Sequence, residues 1–374
     1  MGEGAFGVTA QELRDRSIEV ILGNQDASGA FIASPNFAQY RYSWMRDGSF
    51  IAYSLLVCHR REPCLRFLSW AHGVVQRHAG KLDRLQEKME AGAPLASGDF
   101  FHARFTLDGR ECEDDWPKFQ IDGYGAWLWC LAEYVRRTTD ASALSTFAQG
   151  IETVTRYLSL VWRVPNYDCW EEDGTGIHPS TLACVYGGLA AINRYLSRTD
   201  LAQVIAAVRD CVVSHLGGDG AFTKSIGSPE VDASLVWLTV PFGMVTPSDE
   251  RMRRTVRSIE ERLLEAGGVK RYEGDTYYGG GQWVLLTAWL GWYYARLGDR
   301  ERASHCLEWV IAQSDGDGSL PEQVLGITND PSFIDYWREK WGEVAKPLLW
   351  SHAMYLVLFA EMNGAGEGTD GRRK

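Results

Sequence analysis

Glu171 and Glu172 follow Trp170 in the stretch YDCWEEDGTGIHPS, and Glu322 lies near the end of SDGDGSLPEQ. A carboxyl group against an indole and beside a like charge keeps its proton to higher pH than usual, as a general acid must. Pro321 stiffens the approach to Glu322, which in that Gly-rich, acidic setting stays ionised and suits a general base. A third stretch, YRYSWMRDGSF, crowds Tyr42, Trp44, Arg46 and Asp47 together where a helix is about to begin. Arg and Asp bind hydroxyls, and indoles stack on the apolar faces of sugar rings. Two carboxylates surrounded by such groups are the equipment of glycoside hydrolysis. Each stretch also has a plainer reading: WEE as a solvated helix start, PEQ as a helix-initiating turn, Arg46–Asp47 as a structural salt bridge.

What weighs against the plainer readings is the set of elements that must carry these residues. Apolar spacing at i, i+3, i+4 and i+7 predicts twelve helices, the first over 9–22 with a Thr9–Glu12 capping box. The others span 45–60, 62–79, 123–138, 141–162, 179–198, 200–216, 232–244, 247–266, 282–297, 299–313 and 347–363. Short and long connections alternate, and the long ones are rich in Gly, Asp and aromatics. Three short joints, YVRRTTDASA, YLSRTDLAQ and YARLGDRERA, look alike. This is a degenerate repeat of helical hairpins, units that must stack on one another to bury their faces. The even-numbered helices are apolar nearly all round and therefore buried, whereas the odd ones are amphipathic. An inner ring of six inside an outer ring of six follows: an all-α (α/α)6 barrel with every long loop at one end. Trp, Arg, Asp and Glu recur in at least five of those loops, so topology gathers them on one rim. The reading is a single domain over 1–363, with the tail GAGEGTDGRRK (364–374) expected to be disordered.

Bulk properties narrow the class. A net charge of −11 with no stripe of Lys or Arg argues against a nucleic-acid or anionic-membrane surface. Fifteen Trp in 374 residues point to a large core, a stacking surface, or both. No run of about 18 apolar residues suggests a membrane span. MGEGAFGVTAQEL lacks the apolar segment of a signal peptide, so a cytoplasmic location is expected. The eight Cys form no CxxC pair and several sit in apolar helical patterns, which reads as free thiols. No HExxH, GxSxG or phosphate-binding GxxxxGK[ST] motif occurs, so no metal or cofactor is expected. His178 and His352 read as structural hydrogen-bonders.

The segments YSWMRDGSF, FQIDGYGAWLW, DCWEEDGTGIHPS, VDASLVWLTVPFGMVTPSDERMRRTV, RYEGDTYYGGGQWVLLTAWL, DGSLPEQ and PLLWSHAMY span nearly the whole chain. In that order they resemble the glucoamylase-like catalytic domains of glycoside hydrolase family 15. The resemblance implies an (α/α)6 barrel and inverting, exo-acting release of β-glucose from a non-reducing end. It implies Glu171 as general acid and Glu322 as the base that activates water. It further implies that Arg46 and Asp47 hold the terminal glucose, that Trp44, Trp116 and Trp170 line the first subsites, and that Glu172 and Arg271 are additional substrate ligands. The segment RYEGDTYY departs from the family pattern, which often has a Pro and an acidic residue where Glu273 and Gly274 stand. No role is carried over for Glu273 or Asp275. In an inverting enzyme the two carboxyl groups stand roughly 6.5–9.5 Å apart.

Many relatives carry an extra β-sandwich or starch-binding module, and this chain is expected to run only from the first barrel helix to the last. That favours a short oligosaccharide: isomaltose and isomaltooligosaccharides first, then maltooligosaccharides, with trehalose as a further candidate. Two other classes fit the same rim: a sugar-binding toroid without turnover, and an endo-acting toroid hydrolase with an open groove. A pocket closed by the 81–122 and 314–346 loops would release only monosaccharide. Oligomeric state is left open.

Overall fold

The computed structural model describes residues 8–364; apart from Gly364, the tail 364–374 lies outside them. The helices are α1 (Ala10–Gly23), α2 (Met45–Val57), α3 (Arg61–His78), α4 (Gly80–Glu90), α5 (Asp122–Thr138), α6 (Ser142–Thr146) and α7 (Ala148–Val161). They continue as α8 (Pro179–Leu196), α9 (Thr199–Val213), α10 (Glu250–Arg262), α11 (Val284–Leu297), α12 (Arg300–Ala312), α13 (Phe333–Trp341) and α14 (Leu349–Met362). The inner wall runs α2, α5, α8, the 3₁₀ segment Ala233–Leu238, α11, α14 and back to α2, each packed on the next. Outside it, α1, α3, α7, α9, α10 and α12 pack against inner elements. The fold is therefore all-α, an (α/α)6 barrel. No helix of the described residues is long and apolar enough to cross a membrane.

Local chemistry explains the boundaries. Thr9 caps α1 by accepting from the Glu12 amide at 3.2 Å, and Glu12 reaches back to the Thr9 amide at 2.9 Å. Pro179 opens α8, where its missing N–H costs nothing. The expected helix over 232–244 is instead the 3₁₀ segment, because Pro241 disfavours helical backbone at Val240 and offers no donor. The single helix expected over 141–162 breaks at Phe147, whose ring turns inward against His72. Two helices, α4 and α13, form in stretches that read as connections.

Much of the Trp content fills the barrel axis. Phe50, Trp237, Trp289 and Trp350 meet with ring centroids 4.9–5.5 Å apart between Trp237 and Trp289, Phe50 and Trp237, and Phe50 and Trp350. They plug the barrel interior, where all four are buried. α5 and α8 approach so closely that a Cβ on Gly125 or Gly188 would overlap the facing backbone. The eight cysteines are all free thiols.

Short strands tie the rim loops together. β1 (Ser43–Trp44) pairs with β2 (Arg104–Phe105), placing Trp44 opposite Arg104. The strands β3 (Leu264–Glu265), β4 (Gly268–Val269), β5 (Gln282–Trp283) and β6 (Gln323–Val324) make an antiparallel ribbon in that order. Trp283 thereby lies opposite Gln323, next to Glu322.

Candidate active site

The rim encloses a cavity of about 540 Å³ whose lining includes Trp44, Arg46, Asp47, Trp116, Trp170, Glu171, Glu172, Arg271 and Glu322. Nine of the ten candidate residues thus meet in one place, although they come from five loops.

On one side the chain from Asp168 to Glu172 closes a tight turn. Asp168 Oδ1 accepts from the amides of Trp170 and Glu172, both at 2.9 Å. Glu171 adopts a left-handed backbone, φ +69°, which the turn has to enforce on a non-glycine residue. Its carboxylate receives three donors: Trp44 Nε1 at 2.6 Å and Gln120 Nε2 at 3.0 Å on Oε1, and Trp116 Nε1 at 2.6 Å on Oε2. Arg46 Nη2 stands 3.9 Å from Oε1. The indoles bonded to Glu171 come from distant loops. Trp170, its neighbour in sequence, sends its N–H to Asp232 Oδ2 at 2.8 Å. Glu172 points to Arg271 Nη2 at 3.2 Å and accepts from the Tyr272 hydroxyl.

Glu322 stands on the other side, almost wholly buried. The start of α14 holds its loop: His352 Nε2 accepts from the Leu320 amide at 3.0 Å, and Ser351 donates to the Pro321 carbonyl at 2.8 Å. Both singled-out histidines are structural, since His178 Nε2 lies 3.0 Å from the carbonyls of Asn166 and Asp173. Glu322 Oε1 accepts from the Tyr40 hydroxyl at 2.9 Å, and Tyr40 in turn meets the Tyr277 hydroxyl at 3.1 Å. Oε2 is buried and accepts no hydrogen bond from the protein. Burial pushes the Glu322 carboxyl from 4.5 up to about 8, against the opposing pull of the Tyr40 hydrogen bond and the Arg271 charge, which corrects the expectation that its setting keeps it ionised.

Arg46 Nη1 bonds Asp122 at 2.9 Å and Gln120 at 2.7 Å, and its guanidinium lies 5.5 Å from the Trp350 ring. Asp47 Oδ2 is 3.4 Å from Arg46 Nε and accepts no protein hydrogen bond. Burial raises the Asp47 carboxyl to about 7 although Arg46 opposes it. Arg271 is clamped by Asp275 at 2.7 and 2.5 Å, so Asp275 supports that guanidinium, while Glu273 pairs with exposed Arg262 away from the cavity.

Tyr42 is the exception among the ten. Its ring packs edge-on to Trp44 and takes the Arg104 guanidinium on its face at 4.3 Å, outside the cavity lining. The residue that reaches the cavity is Tyr40, from the 3₁₀ turn Ala38–Tyr40. Sequence reading also missed Tyr277, Trp337 and Trp341, all in the lining, and Gln120. The signals were present, since Gln120 lies inside FQIDGYG and Trp337 and Trp341 repeat at helical spacing in FIDYWREKW.

The family model described as Glycosyl hydrolases family 15 matches residues 10–360. The chain belongs to that family. It is a glycoside hydrolase, as its family and relatives establish. An isomaltose glucohydrolase from Kribbella flavida is 40% identical over 358 residues, covering 94% of this chain and 92% of that protein. A solved glycosidase in complex with glucose superposes with a TM-score of 0.91 at 39% identity, over 95% of this chain and 97% of its own. A bacterial glucoamylase complexed with acarbose shares the fold, with a TM-score of 0.73 at 17% identity over 94% of this chain and 55% of its own. Trehalase 2 of Sulfolobus acidocaldarius is 25% identical over 83% of this chain and 58% of that protein.

Proposed function

We propose that this family 15 member removes single glucose units, with inversion, from the non-reducing end of short α-glucosides, isomaltose foremost. Glu171 gives its proton to the glycosidic oxygen while Glu322 takes one from a water on the opposite face of the sugar. The observation that carries the reading is the placement of the two carboxylates in one aromatic-lined cavity with separate supporting groups. Glu171 rests on indole and amide N–H donors, and Glu322 on a tyrosine hydroxyl. The proposed substrate contacts are Arg46, Asp47, Glu172 and Arg271 for hydroxyls and Trp44, Trp116 and Trp170 for ring faces, with Tyr40 joining Glu322.

Exo-action is supported by the outer wall. Trp116, from the 81–122 loop, stacks on Trp341, from the 314–346 loop, with centroids 5.9 Å apart and planes 27° from parallel. Two lips that touch make a pocket for a chain end, whereas an endo-acting enzyme needs a through-going groove. The preference for isomaltose rests on the 40% identical isomaltose glucohydrolase. Glucose release from isomaltose, maltose, trehalose and the longer homologues of the first two, measured side by side, tests it. The highest kcat/KM is expected for isomaltose; a preference for trehalose would move the assignment to the trehalase relatives.

A further inference from the structure

Lys224 is buried behind the cavity wall, in the connection between α9 and the 3₁₀ segment. Its ammonium lies 3.2 Å from the centroid of the Tyr272 ring, which covers it. It stands 3.8 Å from Asp168 Oδ2, 3.8 Å from Asp232 Oδ2 and 4.0 Å from Glu172 Oε2. Lys224 does not line the cavity. Its anionic neighbours, however, shape the catalytic turn. Asp168 folds the turn through two backbone amides, and Asp232 fixes the Trp170 indole while capping Ser234 at 2.8 Å.

We infer that Lys224 is a positioning residue for the acid: it balances the buried Asp168–Asp232 pair and so holds the 168–172 turn in the shape that aims Glu171. The inference rests on the reading of Glu171 as general acid. Two like charges buried side by side without a counter-ion carry a large desolvation and repulsion penalty. Without Lys224 that penalty is relieved by opening the turn or by protonating Asp168, whose free oxygen, Oδ2, faces the ammonium and has no other partner. The balance is already fine, because burial and Asp232 raise the Asp168 carboxyl to about 7 against the pull of Lys224. Asn at 168 keeps Oδ1 for both amides and replaces the charged oxygen with an NH2 group, so it removes the charge while preserving the turn.

The test compares wild type, Lys224→Met, Asp168→Asn and the double variant on isomaltose and on α-D-glucosyl fluoride. Fluoride leaves without a proton, so its displacement needs the base but not the acid. For Lys224→Met, kcat on isomaltose is expected to fall roughly 10–100-fold, part of the contribution of a well-placed general acid. Hydrolysis of the fluoride should stay within about threefold of wild type. Adding Asp168→Asn to Lys224→Met should restore kcat on isomaltose about tenfold and raise its Tm, because the charges balance again. Equal losses on both substrates, no loss on either, or no recovery in the double variant would overturn the inference. If Lys224→Met does not fold, recovery of folding in the double variant supports the charge balance, and its absence refutes it. Should wild type hydrolyse neither substrate, the reading of function fails, and the cycle of Tm values still decides whether Lys224 and Asp168 are coupled.

Discussion

Trp44 and Tyr40 meet edge to face with ring centroids 5.8 Å apart, and their far ends hold the two carboxylates. The Trp44 N–H reaches Glu171 and the Tyr40 hydroxyl reaches Glu322. Two side chains in contact thus link Glu171 to Glu322. In a single-displacement reaction a sugar carbon and an attacking water stand between two such carboxylates.

On the single-displacement reading the first product should be β-glucose. Proton NMR of the anomeric region in the opening minutes of isomaltose hydrolysis reads this before mutarotation mixes the anomers. Initial α-glucose would mean retention and would overturn the single-displacement reading.

The hydrogen bond from Trp116 to Glu171 Oε2 is separable from the ring that makes it. Trp116→Phe keeps an aromatic face for the sugar and removes the N–H. A donor aimed at a group whose charge changes during reaction acts mainly on the transition state. The expected outcome is a fall in kcat of about tenfold or more on isomaltose with KM changed less than about threefold. Steady-state kinetics would show the reverse, a raised KM with intact kcat, if Trp116 acted only as a stacking platform.

How far this site was legible follows from what fixes each residue. The hairpin repeat dictates which loops share a rim, so Glu171, Glu322 and the WMRD segment could be placed together without coordinates. In YRY, Tyr40 and Tyr42 have equal claims by pattern. The 3₁₀ turn ending at Tyr40 and the Arg104 guanidinium that occupies the Tyr42 face decide between them, and both depend on tertiary contacts. Trp341 was missed for a related reason: its helical spacing with Trp337 is in the sequence, but α13 sits inside a long connection and the role of Trp341 depends on meeting Trp116 from the opposite lip. An apolar indole contact beside Glu171 was expected from Trp170, whereas Trp44 and Trp116 meet its carboxylate with N–H donors. Adjacency in sequence suggested Trp170, whereas the turn that gives Glu171 its left-handed backbone sends Trp170 to Asp232.

Glu322 couples pH to stability in a direction opposite to most carboxylates. Its carboxyl is raised from 4.5 to about 8, so the folded protein holds the proton more tightly than the unfolded chain. The contribution is fully favourable below pH 4.5 and is lost as pH rises through about 8. Glu322→Gln keeps the neutral shape at every pH. Its Tm should exceed that of wild type at pH 8, and the gap should close on acidifying toward pH 4.5. The same group must be ionised to accept a proton, so the acid limb of kcat/KM for wild type should lie above the ordinary carboxylate range. A Tm difference that does not change with pH would disprove the coupling.

Arg46 and Asp47 are neighbours in sequence, and the structure separates their tasks. Arg46 is the buried partner of Asp122, the first residue of α5, which is only 1% exposed. Arg46→Ala leaves that carboxylate unpaired in the interior and should cost about 3–5 kcal/mol in denaturant unfolding. Asp47 carries a buried oxygen with no hydrogen bond from the protein, and burial already raises its carboxyl to about 7. Removing that charge relieves a cost rather than breaking a support, so Asp47→Ala should match or exceed wild-type stability near pH 7. Its kcat/KM should fall by about 10²-fold or more, the size expected when a charged hydrogen bond to a sugar hydroxyl is lost. Unfolding curves and kinetics on the same two variants distinguish the roles. An unstable Asp47→Ala would return both residues to a purely structural pair, because a substrate ligand is not needed to hold up the empty protein.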